Sequence, residues 1–343
     1  MRKVRLGKTG LSVNGSGFGA LPVQRLSIDD AVRLLRRAAD NGFEFFDTAR
    51  YYSDSEAKIG HAFSDRREQV RIATKAMETT RTAVLSSLTT SLRYLQTGYV
   101  DLLQLHNPPE LPDTGDPESA YAGLLEAREK GLARHIGITC HRLDNALTAA
   151  RSGNYDTIQF PLSPLSSEND LSLITACRES GCGLIAMKAL SGGLITNAAT
   201  SFAFLRQFDN VLPIWGIQRD GELDEFLRLE KHPPVLDDTL RAAIDRDREE
   251  LAGMFCRGCG YCMPCPAGIE INWVARMSLL LRRAPSEGFM SDSWYAKMMK
   301  ISDCTGCGRC SQQCPYGLDT PSLLKKNLED YKVFHRSYRR TTV

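Results

Sequence analysis

The cysteines of this chain are distributed very unevenly, and their distribution limits what the C-terminal third can fold into. Of the 11 cysteines in 343 residues, eight lie between Cys256 and Cys314, and only Cys140, Cys177 and Cys182 precede them. Evenly spread cysteines in a secreted chain would indicate disulfides, whereas a tight cluster in a cytosolic chain indicates metal binding. The cluster therefore predicts a C-terminal module organised around metal.

Two runs of cysteines at short, regular spacing form the cluster. They read Cys256-x2-Cys259-x2-Cys262-x2-Cys265-Pro266 and Cys304-x2-Cys307-x2-Cys310-x3-Cys314-Pro315. A thiolate at every third residue lets a short loop wrap one corner of an iron–sulfur cube, and the proline then turns the chain away. Zinc is the alternative, but zinc uses pairs of such cysteines and has no need of a third and fourth. The spacing favours two [4Fe–4S] clusters in a mostly helical, ferredoxin-like domain.

The fourth ligand of each cluster comes from the other run in two-cluster ferredoxins. On that logic one cluster takes Cys256, Cys259, Cys262 and Cys314, and the other takes Cys304, Cys307, Cys310 and Cys265. The second run has the bacterial ferredoxin spacing, whereas the first is one residue short before its last cysteine. The cross-pairing therefore stays open at this point.

Composition excludes several classes of partner. The formal net charge of +2 gives no case for nucleic acid. The N-terminus lacks the apolar core of a signal peptide, and no apolar run approaches the roughly eighteen residues that span a bilayer. We expect a cytoplasmic protein with no membrane partner.

The first 235 residues alternate short apolar, β-rich runs with segments of helical periodicity. The first of these helical segments is Ser27 to Asn41, with Ser27 as N-cap. The other predicted helices are Thr82–Leu95, Glu118–Lys130, Leu143–Ser152, Asn169–Ser180 and Gly221–Leu229. About eight strand–helix units result, which is close to the size of a (β/α)8 TIM barrel. A doubly wound sheet competes, but no G-x-G-x-x-G turn follows an early strand. We predict a barrel over residues 1–235 and an iron–sulfur domain with a basic tail over 236–343. The predicted strands are Ser16–Ala20, Phe43–Thr48, Val70–Lys75, Val100–His106, His135–Cys140, Thr157–Leu162, Gly183–Leu190 and Asn210–Ile217.

Four ionisable residues fall at or just after the ends of three adjacent predicted strands. They are Asp47, Tyr52, Lys75 and His106. Each alone has an ordinary structural explanation, but catalytic groups of these barrels occupy the strand ends. Their joint placement predicts one catalytic pocket.

The same residues carry a resemblance to the aldo/keto reductase family. The stretch Phe46-Asp47-Thr48-Ala49-Arg50-Tyr51-Tyr52 resembles its signature with catalytic Asp and Tyr, and Ala73-Thr74-Lys75 and Leu105-His106 resemble the rest of its tetrad. The segment Cys259 to Pro266 is similar to that of the family's iron–sulfur branch. The resemblance implies hydride transfer between NADP or NAD and a small carbonyl or alcohol. Tyr52 would be the acid or base, with a pKa lowered by the Lys75 ammonium; Asp47 would hold Lys75, and a neutral His106 would orient the carbonyl.

The resemblance also implies cofactor contacts after the last three strands: Gln159, Met187, Leu190, Gly192, Gly216, Arg219 and Glu225. Two departures from the family pattern leave NADH and NADPH open. Met187 stands where many relatives stack an aromatic side chain, and Glu222 stands near the position at which many NADPH users have an arginine.

The two predicted domains together allow three functions. We favour a working NAD(P)-dependent oxidoreductase whose clusters serve an external electron partner, a radical step on the substrate, or stability alone. Alternatively, the protein is an electron-transfer subunit whose barrel is a docking platform, with a ferredoxin- or flavodoxin-type partner. In the third alternative the barrel is a nicotinamide sensor, against which the intact tetrad argues.

Overall fold

The computed structural model describes residues 2–251, 255–283 and 286–341. It divides the chain into two compact units. The first comprises Met1–Ala189 with Ala198–Arg241, and the second comprises Leu190–Asn197 with Ala242–Val343. The short segment Leu190–Asn197 therefore belongs to the second unit, although it lies in sequence between two parts of the first, which the sequence did not indicate.

Eight parallel strands close a barrel in the first unit, which confirms the predicted (β/α)8 fold. A hairpin of β1 (Lys3–Arg5) and β2 (Ser12–Asn14) precedes the barrel. The barrel strands are β3 (Gly17–Gly19), β4 (Phe45–Asp47), β5 (Arg71–Ala76), β6 (Val100–His106), β7 (Ala133–Thr139), β8 (Thr157–Pro161), β9 (Gly183–Met187) and β10 (Val211–Gly216). Each strand pairs with its neighbour in sequence, and β10 pairs with β3.

Eight helices follow the barrel strands, and two of them escaped prediction. They are α1 (Ile28–Asp40), α2 (Ser55–Phe63), α3 (Arg81–Leu95), α4 (Ala120–Glu129), α5 (Leu143–Ser152), α6 (Glu168–Ser180), α7 (Ala198–Arg206) and α8 (Asp220–Lys231). Helix α1 begins as predicted, because the Ser27 hydroxyl accepts a hydrogen bond from the Asp30 amide. Helix α2 was missed because it buries the polar residues Glu56 and Lys58, and α7 because most of its residues are buried. Neither sequence shows a clear apolar stripe.

The N-terminal hairpin packs on the barrel interior. Val4, Leu6 and Val13 are buried in one cluster with inward-facing side chains of the strands. Those side chains are Phe45, Ala73, Leu102, Ile185, Leu212 and Ile214. Because most of these lie at or near the amino ends of their strands, the hairpin closes that end of the barrel and leaves the carboxyl ends for chemistry.

The second unit is mostly helical. Its helices are α9 (Asp238–Glu250, within which the division between the units falls), α10 (Ile271–Val274), α11 (Met277–Arg283), α12 (Asp292–Met299), α13 (Arg309–Gln312) and α14 (Thr320–Thr341). Ile269, Met277, Met298 and Tyr331 are fully or almost fully buried in its core, against which several of the clustered cysteines pack. Helix α14 runs through the predicted basic tail, and the side chains of Arg339 and Arg340 lie outside the described residues. No helix among the described residues is both long and apolar enough to cross a bilayer.

Candidate active site and cluster-binding region

The barrel brings the four predicted catalytic residues to one end. Strand β4 ends at Asp47, β5 carries Lys75 near its end, and β6 ends at His106. Tyr52 lies in the turn that joins β4 to α2. Parallel strands in a barrel end at the same rim, so neighbouring strands place these side chains side by side.

An ion pair between Asp47 and Lys75 lies at the centre of this group. Lys75 Nζ donates hydrogen bonds to Asp47 Oδ2 and to the Thr48 carbonyl oxygen, each at 2.7 Å. The two side chains are almost fully buried. Lys75 Nζ lies 5.2 Å from the centroid of the Tyr52 ring, and the Tyr52 and His106 rings meet nearly edge to face at 5.7 Å between centroids. The four side chains therefore form one contiguous group.

The protonation state of Tyr52 differs from the expectation. We expected the Lys75 ammonium to lower the pKa of the phenol, but the structure raises it. Burial is the main cause, and the negative charge of Asp47 adds to it. Because Asp47 pairs directly with Lys75, the field of the cation at the phenol is largely cancelled. Tyr52 is therefore a neutral phenol throughout the ordinary pH range.

Burial also shifts the pKa values of the other three groups of the tetrad. It raises the pKa of Asp47 and lowers that of Lys75, and the attraction between the two opposes both shifts. Burial, and then the charge of Lys75, lowers the pKa of His106 to about 3. His106 is therefore a neutral imidazole, which agrees with the role that we expected for it.

A buried amide relay adjoins the ion pair, and the sequence analysis missed half of it. Gln104 Nε2 donates to Gln159 Oε1 at 2.8 Å, and Gln159 Nε2 approaches Asp47 Oδ2 at 3.4 Å. Gln104 could have been found, because it lies two residues before His106 and therefore on the same face of β6. Asp47 Oδ1 and Gln104 Oε1 are buried acceptors with no partner among the described residues.

The predicted cofactor contacts fall in different places. Met187 ends β9, and Gly216 ends β10 and is exposed. Leu190 and Gly192 lie in the short segment that belongs to the second unit. Gln159 is buried inside the barrel.

Helix α8 carries the other two predicted contacts: Arg219 is its N-cap, and Glu225 lies in its middle. The Glu222 carboxylate accepts hydrogen bonds from the backbone N–H groups of Gln218 and Arg219, at 2.9 and 3.2 Å. It also pairs with the Arg219 guanidinium at 2.5 Å. The donors that could hold a cofactor phosphate are therefore engaged by a carboxylate of the chain itself.

Five cysteines line one concavity in the second unit. It encloses about 400 Å³ of space, partly open to solvent, and is bordered by Cys262, Cys265, Cys304, Cys307 and Cys310. Cys265 of the first run thus shares a concavity with three cysteines of the second. Among the described residues, no three Cys, His, Asp or Glu side chains lie close enough to share a single metal ion. The thiols instead surround a larger space.

The first three cysteines of the first run lie close together. Burial, followed by negative charge on Cys256 and Cys259, raises the pKa of Cys262 to about 12. The Gly258 amide donates to Cys256 Sγ at 3.3 Å, and such amide bonds to sulfur stabilise cluster thiolates. Cys314 is half-buried and packs against the same core. The set of thiols and amide donors fits an iron–sulfur group.

Two protein families match this chain. The sequence profile of the Aldo/keto reductase family matches residues 14–211. A second profile, described as a 4Fe-4S dicluster domain, matches residues 255–319. The two matches cover the barrel and the cysteine-rich region respectively.

Individual relatives agree with the barrel match. Methylglyoxal reductase DkgB of Salmonella typhimurium is 34% identical over 45% of this chain and 59% of its own length. L-galactose dehydrogenase of Arabidopsis thaliana is 31% identical over 56% of this chain and 66% of its own length. This chain therefore spans only about six-tenths to two-thirds of these curated relatives.

Solved structures share the fold at lower identity. An aldo-keto reductase from Klebsiella pneumoniae, in complex with NADPH, superposes with a TM-score of 0.61 at 20% identity, over 72% of this chain and 95% of the other. The holo form of an aldo-keto reductase from Bacillus halodurans gives a TM-score of 0.62 at 20% identity, over 72% and 96% of the two chains.

The depressed pKa of His106 predicts a stability cost in acid. Between about pH 3 and 6.5 the unfolded chain binds a proton at this residue and the folded chain does not, so stability falls as pH falls through that range. The ring is partly exposed, so we expect a loss of up to about 1 kcal/mol per pH unit. His106→Gln should lose correspondingly less stability, measured by urea unfolding from pH 7 to 4. The exposed His232→Gln variant is the control, and an acid loss identical in His106→Gln and wild type would contradict the prediction.

Proposed function

This chain belongs to the aldo/keto reductase family, and from that premise we propose that it is an NAD(P)-dependent carbonyl reductase or alcohol dehydrogenase whose second unit holds two [4Fe–4S] clusters. The convergence of Asp47, Lys75, Tyr52 and His106 at the open rim of the barrel carries the proposal. A barrel that only docked a partner would have no use for a buried ion pair beside a protonated phenol. The same grouping argues against a sensor that binds nicotinamide without turnover.

The tetrad can deliver a proton to a substrate oxygen. A nicotinamide, when bound, would supply or accept the hydride. Tyr52 is the proton donor, since its raised pKa keeps the hydroxyl protonated. The neutral His106 ring can donate a hydrogen bond that orients the carbonyl. Asp47 and Lys75 hold each other in place, and Lys75 Nζ lies 5.2 Å from the centroid of the Tyr52 ring.

The raised pKa of Tyr52 suits the role of proton donor. A phenol is a weak acid, but an alkoxide forming on the substrate is a stronger base than a phenolate, so proton transfer becomes favourable as charge develops. The reverse reaction needs a phenolate, which burial and Asp47 both disfavour. The protonated form of Tyr52, which carbonyl reduction requires, is therefore the form that this site maintains.

Removal of the Tyr52 hydroxyl tests the proposed reductase. Tyr52→Phe should lower kcat for carbonyl reduction by roughly 10²- to 10⁴-fold, the usual contribution of a positioned acid. The assay follows nicotinamide oxidation with a panel of small carbonyls that includes methylglyoxal, because one relative is named for that substrate. Tyr51→Phe removes a hydroxyl from the neighbouring, exposed tyrosine and should match wild type. Equal rates in Tyr52→Phe and wild type would overturn the role of Tyr52.

The start of helix α8 is where we propose that a cofactor phosphate binds. The Gln218 and Arg219 amides, the positive end of the helix and the Arg219 guanidinium are suitable donors. Glu222 competes for all of them and would repel a 2′-phosphate. The other predicted contacts to the nicotinamide cofactor remain proposals. They are Gln159, Met187, Leu190, Gly192, Gly216 and Glu225.

Neutralising Glu222 tests this competition. Glu222→Gln frees Arg219 and removes a negative charge, so the ratio of NADPH to NADH affinity should rise roughly three- to tenfold. Fluorescence titration of each cofactor measures the ratio. Asp224→Asn removes a charge from the same helix, where it pairs with Arg37, and should leave the ratio within twofold. An unchanged ratio in Glu222→Gln would place the 2′-phosphate elsewhere.

The cysteines support two clusters with exchanged fourth ligands. Cys265 borders the concavity of Cys304, Cys307 and Cys310, which agrees with the pairing that the ferredoxin logic favours. Cys262, which that logic gives to the other cluster, borders the same concavity. Of the eight clustered cysteines, all of which are described, only Cys307 is exposed. Lys325, Lys326 and Lys332 are exposed on helix α14 of the same unit. We propose that the cluster at Cys307 exchanges electrons with an acidic ferredoxin- or flavodoxin-type partner.

Serine variants test both the cluster count and the pairing. Anaerobically purified wild type should contain about eight irons per chain, as two [4Fe–4S] clusters require. One electron paramagnetic resonance signal should change in both Cys265→Ser and Cys304→Ser. The other signal should change in both Cys314→Ser and Cys256→Ser. Cys140→Ser, outside both runs, should change neither signal. A Cys265→Ser spectrum that matches Cys256→Ser would reverse the pairing.

A further inference from the structure

Arg276 is a buried cation in an unusual position. It lies in the bend between helices α10 and α11, with 6% of its surface exposed. No carboxylate of the described residues lies within ion-pair distance of it, and its Nε has no hydrogen-bond partner among them. A guanidinium cannot shed its proton, so a buried arginine requires negative charge nearby.

The cysteine loop lies directly against this guanidinium. A Cβ atom built on Gly258 would lie only 2.5 Å from Arg276 Nη1, so the side chain occupies the space that a residue other than glycine would fill. Gly258 has a φ of +62° and is followed by Cys259, two residues after Cys256. The pKa of Arg276 is lowered by burial and raised again by Cys256, which is consistent with attraction between the two. Among the described residues, Cys256 is the negative group that acts on the pKa of this guanidinium.

The other side of the guanidinium holds a second loop. Arg276 Nη2 donates to the Gly192 carbonyl oxygen at 2.6 Å, and a Cβ built on Gly192 would lie 3.1 Å from Nη1. Gly192 belongs to the segment Leu190–Asn197, which follows β9 in sequence and is part of the second unit. Lys188 and Ser191 adopt positive φ angles of 54° and 50°, so this backbone is held in a sparsely populated conformation.

We propose that Arg276 is a positioning residue that stabilises the reduced form of the cluster at Cys256, Cys259 and Cys262, and that it fixes Leu190–Asn197 through Gly192. The inference rests on the proposed clusters. Reduction adds one negative charge to a group already surrounded by thiolates, and a nearby buried cation makes that addition more favourable. Stronger attraction to the reduced cluster competes with the hydrogen bond to Gly192, so the redox state of the cluster changes the order of the segment.

Two substitutions separate the charge of Arg276 from its hydrogen bonding. Arg276→Gln removes the charge, and should shift the equilibrium of this cluster about tenfold toward the oxidised form, which is ~59 mV in midpoint potential. Arg276→Lys keeps the charge, so the redox equilibrium of the cluster should stay within about threefold of wild type. Because lysine lacks the planar guanidinium fork, amide exchange in Leu190–Asn197 should be severalfold faster than in wild type. Arg282→Gln is the control: it removes an arginine of the same unit that pairs with Asp330 at the surface, and should leave the equilibrium within twofold.

The measurements use the full-length, iron-loaded protein under anaerobic conditions. Potentiometric titration followed by electron paramagnetic resonance gives the equilibrium, with signals assigned by the cysteine variants, and hydrogen exchange with mass spectrometry follows the segment in the oxidised and reduced states. In wild type, exchange in the segment should differ between the two states. An iron-loaded Arg276→Gln with the wild-type potential would overturn the inference alone. If Arg276→Gln fails to load iron, wild-type exchange rates in Arg276→Lys would overturn it. If the anaerobically purified wild type contained no iron, the proposed clusters would be overturned together with this inference.

Discussion

The buried ion pair between Asp47 and Lys75 is the interaction on which the rim of the barrel depends. Two opposite charges removed from water stabilise the fold only when they satisfy one another and their neighbours. Here Lys75 Nζ donates to Asp47 Oδ2 and to the Thr48 carbonyl oxygen, and Gln159 donates to Asp47 Oδ2, while Asp47 Oδ1 has no partner among the described residues. The pair also determines the electrostatics of the site. Because its net charge is close to zero, burial dominates the neighbouring tyrosine and histidine, and both are neutral.

This neutrality shows where sequence reasoning succeeded and where it could not succeed. The order of strands, and with it the meeting of four side chains at one rim, followed from periodicity and from the rule that barrel chemistry lies at strand ends. The direction of the tyrosine pKa did not follow, because it depends on burial and on which charge lies nearer. A sequence shows that Asp47 and Lys75 are both present, but it does not show that one cancels the other.

The limits in the rest of the chain have similar physical causes. Helices α2 and α7 show no clear apolar stripe, because most of their side chains are buried, polar ones included. The cysteine spacing indicated a cluster-binding module at once, because ligand spacing is local chemistry. The role proposed for Arg276 cannot be seen in the sequence, since it depends on Gly258 and on the distant Gly192, which meet Arg276 only after folding.

The assignment of Leu190–Asn197 to the second unit has a consequence for the modularity of the protein. An appended domain can ordinarily be removed by truncation, and the catalytic barrel then remains intact. Here a truncation near residue 241 would leave behind eight residues whose packing partners had been deleted, in the middle of the barrel sequence. Such a truncation therefore removes more than an appendage, because Leu190–Asn197 depends for its packing on residues that follow Arg241.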